Sequence, residues 1–578
     1  MNSFLIASQK MSQESIHFRD VYICQEQDYS LDHWKSFCDK DRGVHICIHG
    51  RPTVDIEEWE NCKKDDESYI SRLLIDRYKQ ENLGNFCTSL NGTFTIIILD
   101  SIRGAMIVIT DKLGIFPVYA YQCENLHDFC LSSNINYILN HLPQNLNIDQ
   151  VSAAEFLKKG FIYHPNTFYQ EIKTLTNGSY YIYDFEKSVV TANQYFRMQE
   201  NFVYDFDFLV DTLANAMSHA IERRTHAHYG KKAVFLSGGS DSRTILNNTI
   251  DDADAVTLYD IKNYEIQTTQ KICNFLNKPQ SLIKRGEAYY LEAFDKSIKL
   301  NGGRSLPTDD HFINIAHDER IKKYDTILTG CYADWMFKGI ALNRKQASLF
   351  NKISLPLFKI VTFSFDFFSQ RTILGKYYEK LIQQREDKIF LDKNNHFATE
   401  NKRLFPLFQE ETASTRLTLQ QLFSWDTIFS DNEIIEVYQM IPVQYKINSQ
   451  LYDQAVAKLN KNIAHIPHAN KRHRIGINIY LSTGLYLFSI ITNKILRKLG
   501  IIKQNKIYGE GSWLSFQEYA KLNFIKDRYR SLLSSTANRK ILEAFLPEIG
   551  CYNELQRYDY KLIYKVIVLF EVLNKGQK

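Results

Sequence analysis

The chain of 578 residues contains no Cys-x-x-Cys pair and no Cys/His cluster at metal-site spacing. Its 10 cysteines are scattered, the pattern of reduced, mostly buried thiols in a cytoplasmic protein. No uncharged run reaches the roughly 20 residues that cross a bilayer. The longest, Ile477 to Thr492, is followed by the basic segment KILRKLG. It reads first as a buried helix, with a membrane-surface or partner-docking helix as the alternative. The run Leu355 to Phe368, broken by Lys359 and Asp366, reads as core. The start, MNSFLIASQKMSQ, has no basic segment and no long apolar stretch, so no signal peptide is expected. Neither charge sign dominates: 70 basic against 66 acidic residues leave +4, too little to argue for nucleic acid.

With 44% apolar and 24% charged residues the composition is that of an ordinary soluble protein, and the length allows two to four domains with large cores. The 35 Tyr and 37 Phe are attributed to core packing. Residues 231–250, KKAVFLSGGSDSRTILNNTI, run from an apolar strand through a glycine turn into a helix. Gly238 and Gly239 let backbone N–H groups approach an anion, and the helix dipole points its positive end at the same place. Ser237 and Ser242 add hydroxyls, and Asp241 can hold a cation. No Lys follows the glycines, so this is not the phosphate loop of the common NTPases.

Residues 1 to about 195 are strand-rich. Gly43–Gly50, Thr93–Asp100, Ala105–Thr110 and Val118–Tyr121 alternate or run apolar between turn residues, which predicts stacked antiparallel sheets. A helix is expected over 66–82. A second register starts near 205, where helical patterns alternate with the short strands AVFLS and DTILTG. From about 345 helices dominate. No internal repeat is evident.

The string Ser237-Gly238-Gly239-Ser240-Asp241-Ser242 resembles the SGGxDS loop of the PP-loop ATP pyrophosphatases, and the asparagine synthetase family fits best. LNGTFTIIILDSIRGAMIVITDKLGIFPVYAY, from Leu90, looks like class II glutamine amidotransferase sequence, and LSSNINYIL, from Leu131, resembles the stretch that follows it. TILTGCYADWMFKG, from Thr326, is similar to "vLLSGEGADELFGGY", TIFSDNEIIEVYQMIPVQYKI to a later family stretch, and IPHANKRHR, from Ile466, to "LxRxKxGF". The resemblance implies an α+β, Ntn-type sandwich of antiparallel sheets over 1–195. An α/β PP-loop domain with a helical C-terminal part would then cover 205–578.

The resemblance also implies the site. Leu236, Ser237, Gly238, Gly239, Ser240, Asp241, Ser242, Thr257 and Gly330 would contact ATP. Asp241 and Asp334 would share Mg2+, for which hard oxygen donors are suited. Lys471, with Arg472 as the alternative, would neutralise charge on the α-phosphate. Arg243, where many relatives have serine, would bind a carboxylate or the leaving pyrophosphate, or else make only surface helix contacts. The departures are equally informative. Position 2 is Asn, not the nucleophilic Cys of an active glutaminase; a start at Met11 would expose only Ser12. The family's RHRGPD-type glutamine-binding segment is missing, so Asn91-Gly92 is expected to survive as a structural turn. Cys331 and Tyr332 replace the Glu and Gly of the second motif, which weakens the case for aspartate as the acyl substrate.

The implied reaction is ATP-dependent adenylation of a carboxylate, with AMP and pyrophosphate released and an amide formed. β-Lactam synthetases and lasso-peptide macrolactam cyclases resemble asparagine synthetases and dispense with glutamine, and the cyclases match this short N-terminal region best. The partners implied are a peptide or small-molecule carboxylate and an amine, with a precursor peptide or protease beside a cyclase. An asparagine synthase, a sugar-carboxylate amidator and a degenerate scaffold are the alternatives.

Overall fold

The computed structural model describes residues 3–9, 15–26, 32–62, 66–142 except 123 and 125, 146–339, 374–392, 395–477 except 411, scattered positions over 481–499, 513–514, 516–547 and 560–576. The N-terminal part holds two six-stranded sheets whose strand pairs are antiparallel. One is built around Ser3–Ala7, Val21–Glu26, Tyr119–Tyr121 and Cys130–Ser132. The other is built around Val44–Thr53, Asn91–Asp100, Ala105–Thr110 and Ser179–Asp184.

Side-chain alternation builds the layers. Ile97, Leu99, Met106 and Val108 of the second sheet meet Phe4, Ile6, Val21 and Ile23 of the first. Ile96, Ile98, Ile107 and Ile109 point the other way, onto Ile70, Leu74 and Ile75 of the helix Tyr69–Gln80. The outer face of the first sheet, through Ala7, Tyr119 and Tyr121, packs on Phe156 and Leu157 of the helix Gln150–Lys159. The order is therefore helix, sheet, sheet, helix, and the expected antiparallel sandwich is present.

The second half contains a five-stranded sheet, all of whose pairs are parallel. Its spatial order is Gln280–Lys284, Ala253–Tyr259, Lys232–Phe235, Thr326–Thr329, Trp425–Thr427. Two of these strands, AVFLS and DTILTG, are expected from the sequence, whereas the edges, SLIK and WDT, are too short to carry a period of their own. The chain builds one side of Lys232–Phe235 first and then crosses to the other. The switch point thus lies between the carboxyl ends of Lys232–Phe235 and Thr326–Thr329, where ligands of open α/β sheets bind.

The halves are closely joined. The Arg51 guanidinium donates to Thr326 Oγ1 at 2.6 Å and to the Asp325 carbonyl at 2.8 Å. Asp431, fully buried, takes Arg223 and Arg224 at 2.7 Å each. Asn91 is not a free turn: it begins a strand, its Oδ1 accepts from Asn432 N at 2.9 Å and its amide donates to Asp431 at 3.3 Å. Gly92 has φ +100, and a Cβ there would sit 2.5 Å from the Arg51 carbonyl. One apolar cluster continues from the first sheet through Ala233, Val234, Ile327 and Leu328 of the parallel sheet.

Among the described residues no helix is long and apolar enough to cross a membrane. The expectation of a buried helix over 477–492 is not met at the described positions. Leu481 is 57% and Phe488 70% exposed, with Leu485 and Ile491 also exposed. These positions recur at near-helical spacing and so share a side that the rest of the described chain does not cover. The run 355–368 lies outside the described residues.

Candidate active site

The loop after Lys232–Phe235 and the loop after Thr326–Thr329 meet at the switch point. Gly238 adopts φ +69, a conformation open to glycine, and Gly239 caps the helix Ser240–Asn247. Ser242 Oγ accepts from Ser237 N at 3.2 Å and lies 3.3 Å from Ser237 Oγ, which closes the turn. Gly330 allows the second loop to touch the first: a Cβ there would lie 2.4 Å from Asp241 Cβ and 3.1 Å from Ser242 N. The sequence-identified residues Ser237 to Ser242, Gly330 and Asp334 are thus brought together by close backbone approach.

Two carboxylates converge here. Asp241 in the first turn of Ser240–Asn247 and Asp334 in the helix Ala333–Phe337 both reach the ammonium of Lys338, at 2.7 Å each. Lys338 also donates to Ser240 Oγ at 3.2 Å. Asp241 Oδ1 further accepts from Tyr452 OH at 2.8 Å and Ser240 Oγ at 2.9 Å. Burial works against the Lys338 charge, but Asp241 and Asp334 outweigh it and raise its pKa, so the ammonium stays charged. Two carboxylates aimed at one cation fit a shared Mg2+ in both donor type and convergence. A divalent ion at that point requires the Lys338 ammonium to yield it.

Lys338 and Tyr452 are the functional side chains that sequence reasoning missed. Lys338 carries one visible signal: it stands where the resembled motif has glycine, four residues after Asp334 and hence on the same helical side. Tyr452 carries none, because its approach depends on how the helix Gln450–Leu459 packs on the first loop.

Arg243, expected to reach a carboxylate or the leaving pyrophosphate, is turned elsewhere. Its buried guanidinium donates to the carbonyls of Gly239 (2.9 Å), Gly238 (2.8 Å), Ile466 (2.8 Å) and Pro467 (3.1 Å). Burial lowers its pKa to about 10, still charged at neutral pH. It binds the first loop to the segment at 466–471, as does Ala469 N, which donates to Gly238 O at 3.1 Å. Lys471 belongs to that segment, and its ammonium pairs with Asp453, the neighbour of Tyr452. Arg472 lies over the Tyr264 ring at 3.7 Å. His468 lies beside the loop; burial, then the charges of Lys471, Lys338 and Arg243, hold its pKa well below the usual histidine value.

Leu236 and Thr257 lie side by side near the carboxyl ends of two neighbouring inner strands. Leu236 N donates to Val256 O at 2.8 Å, and Thr257 Oγ1 donates to Leu236 O at 3.0 Å. Both side chains are buried. In the second loop, the Cys331 carbonyl accepts from Thr427 Oγ1 at 3.1 Å, and Tyr332 is buried at φ +81, a strained conformation for a bulky residue. The Arg416 guanidinium covers the Tyr332 ring at 5.3 Å and pairs with Glu410.

Residues 72–196 match the glutamine amidotransferase domain family. A Methanocaldococcus jannaschii protein with the provisional name asparagine synthetase (glutamine-hydrolyzing) 2 is 27% identical over 168 residues, 28% of this chain and 32% of its own length. The chain thus aligns with about a third of that relative. An NH3-dependent NAD synthetase from Campylobacter jejuni, solved with nitrate, aligns over 36% of this chain and 94% of its own at 13% identity and a TM-score of 0.18, too slight a likeness to carry an argument. The two sequence matches support a relationship of this chain to the asparagine synthetase family.

Proposed function

We propose that this chain is an ATP-dependent, AMP-forming ligase that makes an amide bond without hydrolysing glutamine. The observation that carries the reading is the meeting of the SGGSDS loop and the TGCYAD loop at the switch point, with Asp241 and Asp334 converging on one cation position. The sandwich ahead of it is taken as a glutamine amidotransferase-like, Ntn-type domain that no longer supplies ammonia. What supports this is Asn91, whose side chain is committed to Asn432 and Asp431 of the other half.

The reaction follows from charge. A substrate carboxylate attacks the α-phosphorus of ATP, the bond to the β-phosphate oxygen breaks, and pyrophosphate leaves onto the N–H groups and hydroxyls of Ser237 to Ser242. An amine attacks the acyl carbon of the resulting adenylate, expelling AMP, and its proton passes to solvent. Asp241 and Asp334 would hold magnesium, which when bound screens the phosphate charge. Lys471 and Lys338 place positive charge beside the phosphates, and Arg243 is a positioning residue that fixes the loop. The amine is taken to come from the substrate itself or from free ammonia, with a peptide-cyclising enzyme as the favoured subclass. In that case a precursor peptide is the substrate.

The test is ATP–pyrophosphate exchange with radiolabelled pyrophosphate across aspartate, uronates and peptides bearing acidic side chains, together with glutamate release from glutamine. Exchange with an acidic peptide, absent in Asp241→Ala, is the expected outcome. Exchange that needs aspartate and is accompanied by glutamate release would establish a glutamine-dependent asparagine synthase instead. A binding or scaffold paralogue is favoured by one observation, the Lys338 ammonium bridging the two carboxylates, and would give no exchange with any carboxylate.

A further inference from the structure

Away from the switch point, His33, Cys62 and His228 come together where the two halves meet. Among the described residues they form a group of three metal-binding side chains whose donor atoms all lie within 4.8 Å of one another. Cys62 Sγ is 3.8 Å from His33 Nδ1, and the two imidazoles have ring centroids 5.6 Å apart at 77°. Two imidazoles on one tetrahedral zinc, with Zn–N of about 2.0–2.1 Å, hold their ring centres roughly 5 Å apart. Donor atoms on one tetrahedral zinc lie roughly 3.3–3.7 Å apart, so the group needs a contraction of up to about 1.5 Å to reach ligand geometry.

His33 Nδ1, the ring nitrogen nearest Cys62 Sγ, also lies 2.8 Å from the Asp66 carbonyl, a hydrogen bond that this nitrogen gives up on binding a metal. The Trp59 indole stacks on His228 at 5.0 Å and 13° and meets His33 at 5.5 Å; Trp34 closes a further side, 6.1 Å from His33. These indoles pack around the two imidazoles.

We propose that His33, Cys62 and His228 form a structural zinc site that clips the N-terminal half to the strand leading into the ATP loop. One sulfur and two nitrogens are a borderline-soft set that selects Zn2+ over Mg2+. Three protein donors leave one tetrahedral position for water. His33 and Cys62 flank the second sheet of the sandwich, whereas His228 lies in the turn Ala227–Tyr229 just before Lys232–Phe235. A metal there holds the start of that strand, and with it the register of the SGGSDS loop, against the sandwich. Binding converts the Cys62 thiol to thiolate and releases one proton to solvent.

The experiment uses the full-length protein without a polyhistidine tag, equilibrated with zinc chloride, gel-filtered and analysed for metal by mass spectrometry. About one equivalent of zinc is expected, with affinity lowered at least about 10-fold in Cys62→Ser and in His228→Gln and unchanged in Asp241→Asn. Cobalt(II) bound to the unaltered protein should show a thiolate-to-cobalt charge-transfer band and tetrahedral d–d absorption, a readout that does not depend on the variants folding. Zinc below roughly 0.2 equivalents in the unaltered protein, a cobalt spectrum without the thiolate band, or undiminished zinc in both variants would overturn the proposal.

Discussion

Replacing Lys338 with Met tests whether Asp241 and Asp334 are a cation site held by a resident ammonium. The Lys338 nitrogen lies 2.7 Å from each carboxylate. At an effective dielectric of about 20 each contact is worth about 6 kcal/mol before solvation is counted. Most of that is cancelled by the desolvation of Lys338, whose side chain is only 14% exposed. Asp334, 53% exposed, contributes toward the small values of surface pairs. Removing the ammonium while leaving both carboxylates should therefore cost about 3 kcal/mol in metal-free buffer, the low end of the range for breaking a buried pair. The same term opposes any metal ion that must displace Lys338. In Lys338→Met, Mg2+ should bind the nucleotide-free protein about 10- to 100-fold more tightly and restore most of the lost stability. Isothermal titration with MgCl2 and urea denaturation with and without Mg2+ measure the two effects. If Mg2+ binds the variant no better than the unaltered protein, the carboxylates do not form a shared cation site and the reasoning fails.

Four further outcomes follow from the geometry. Asp241→Asn should lower ATP–pyrophosphate exchange by about 100- to 1,000-fold while circular dichroism stays unchanged. Gly330→Ala places a Cβ 2.4 Å from that of Asp241, so the loops must separate; a cost of about 1–3 kcal/mol and a loss of binding to a fluorescent ATP analogue are expected. Arg243→Lys cannot span four carbonyls from one planar group and should cost roughly 3 kcal/mol by urea denaturation, with proteolysis appearing first near 466–471. Phe488→Ser, at a 70% exposed position, should change stability by no more than about 0.5 kcal/mol; a loss of several would show that this side chain is buried after all.

Much of the fold was legible because its signals are local. The alternation of Ile96 to Leu99 separates two apolar layers, as the sandwich requires. A glycine at φ +69 followed by a helix start is a property of a few consecutive residues, so the SGGSDS turn could be read directly. The apolar run over 477–492 was misread because composition registers hydrophobicity but not whether anything packs against it. Arg243 shows the same limit: its charge was visible, but its partners at Ile466 and Pro467 lie more than two hundred positions away.

By itself, then, the sequence determined two strand–glycine–helix loops, the acidic residues in them, and a strand-rich half ahead of them, since backbone conformation and helix starts depend on near neighbours. Only the tertiary structure decided what faces those acids. Lys338 and Tyr452 close on Asp241 because two helices pack against one loop. His33, Cys62 and His228, without any metal-binding spacing along the chain, meet because two halves share an interface. Such convergence is set by packing between distant segments, and a one-dimensional pattern carries no term for it.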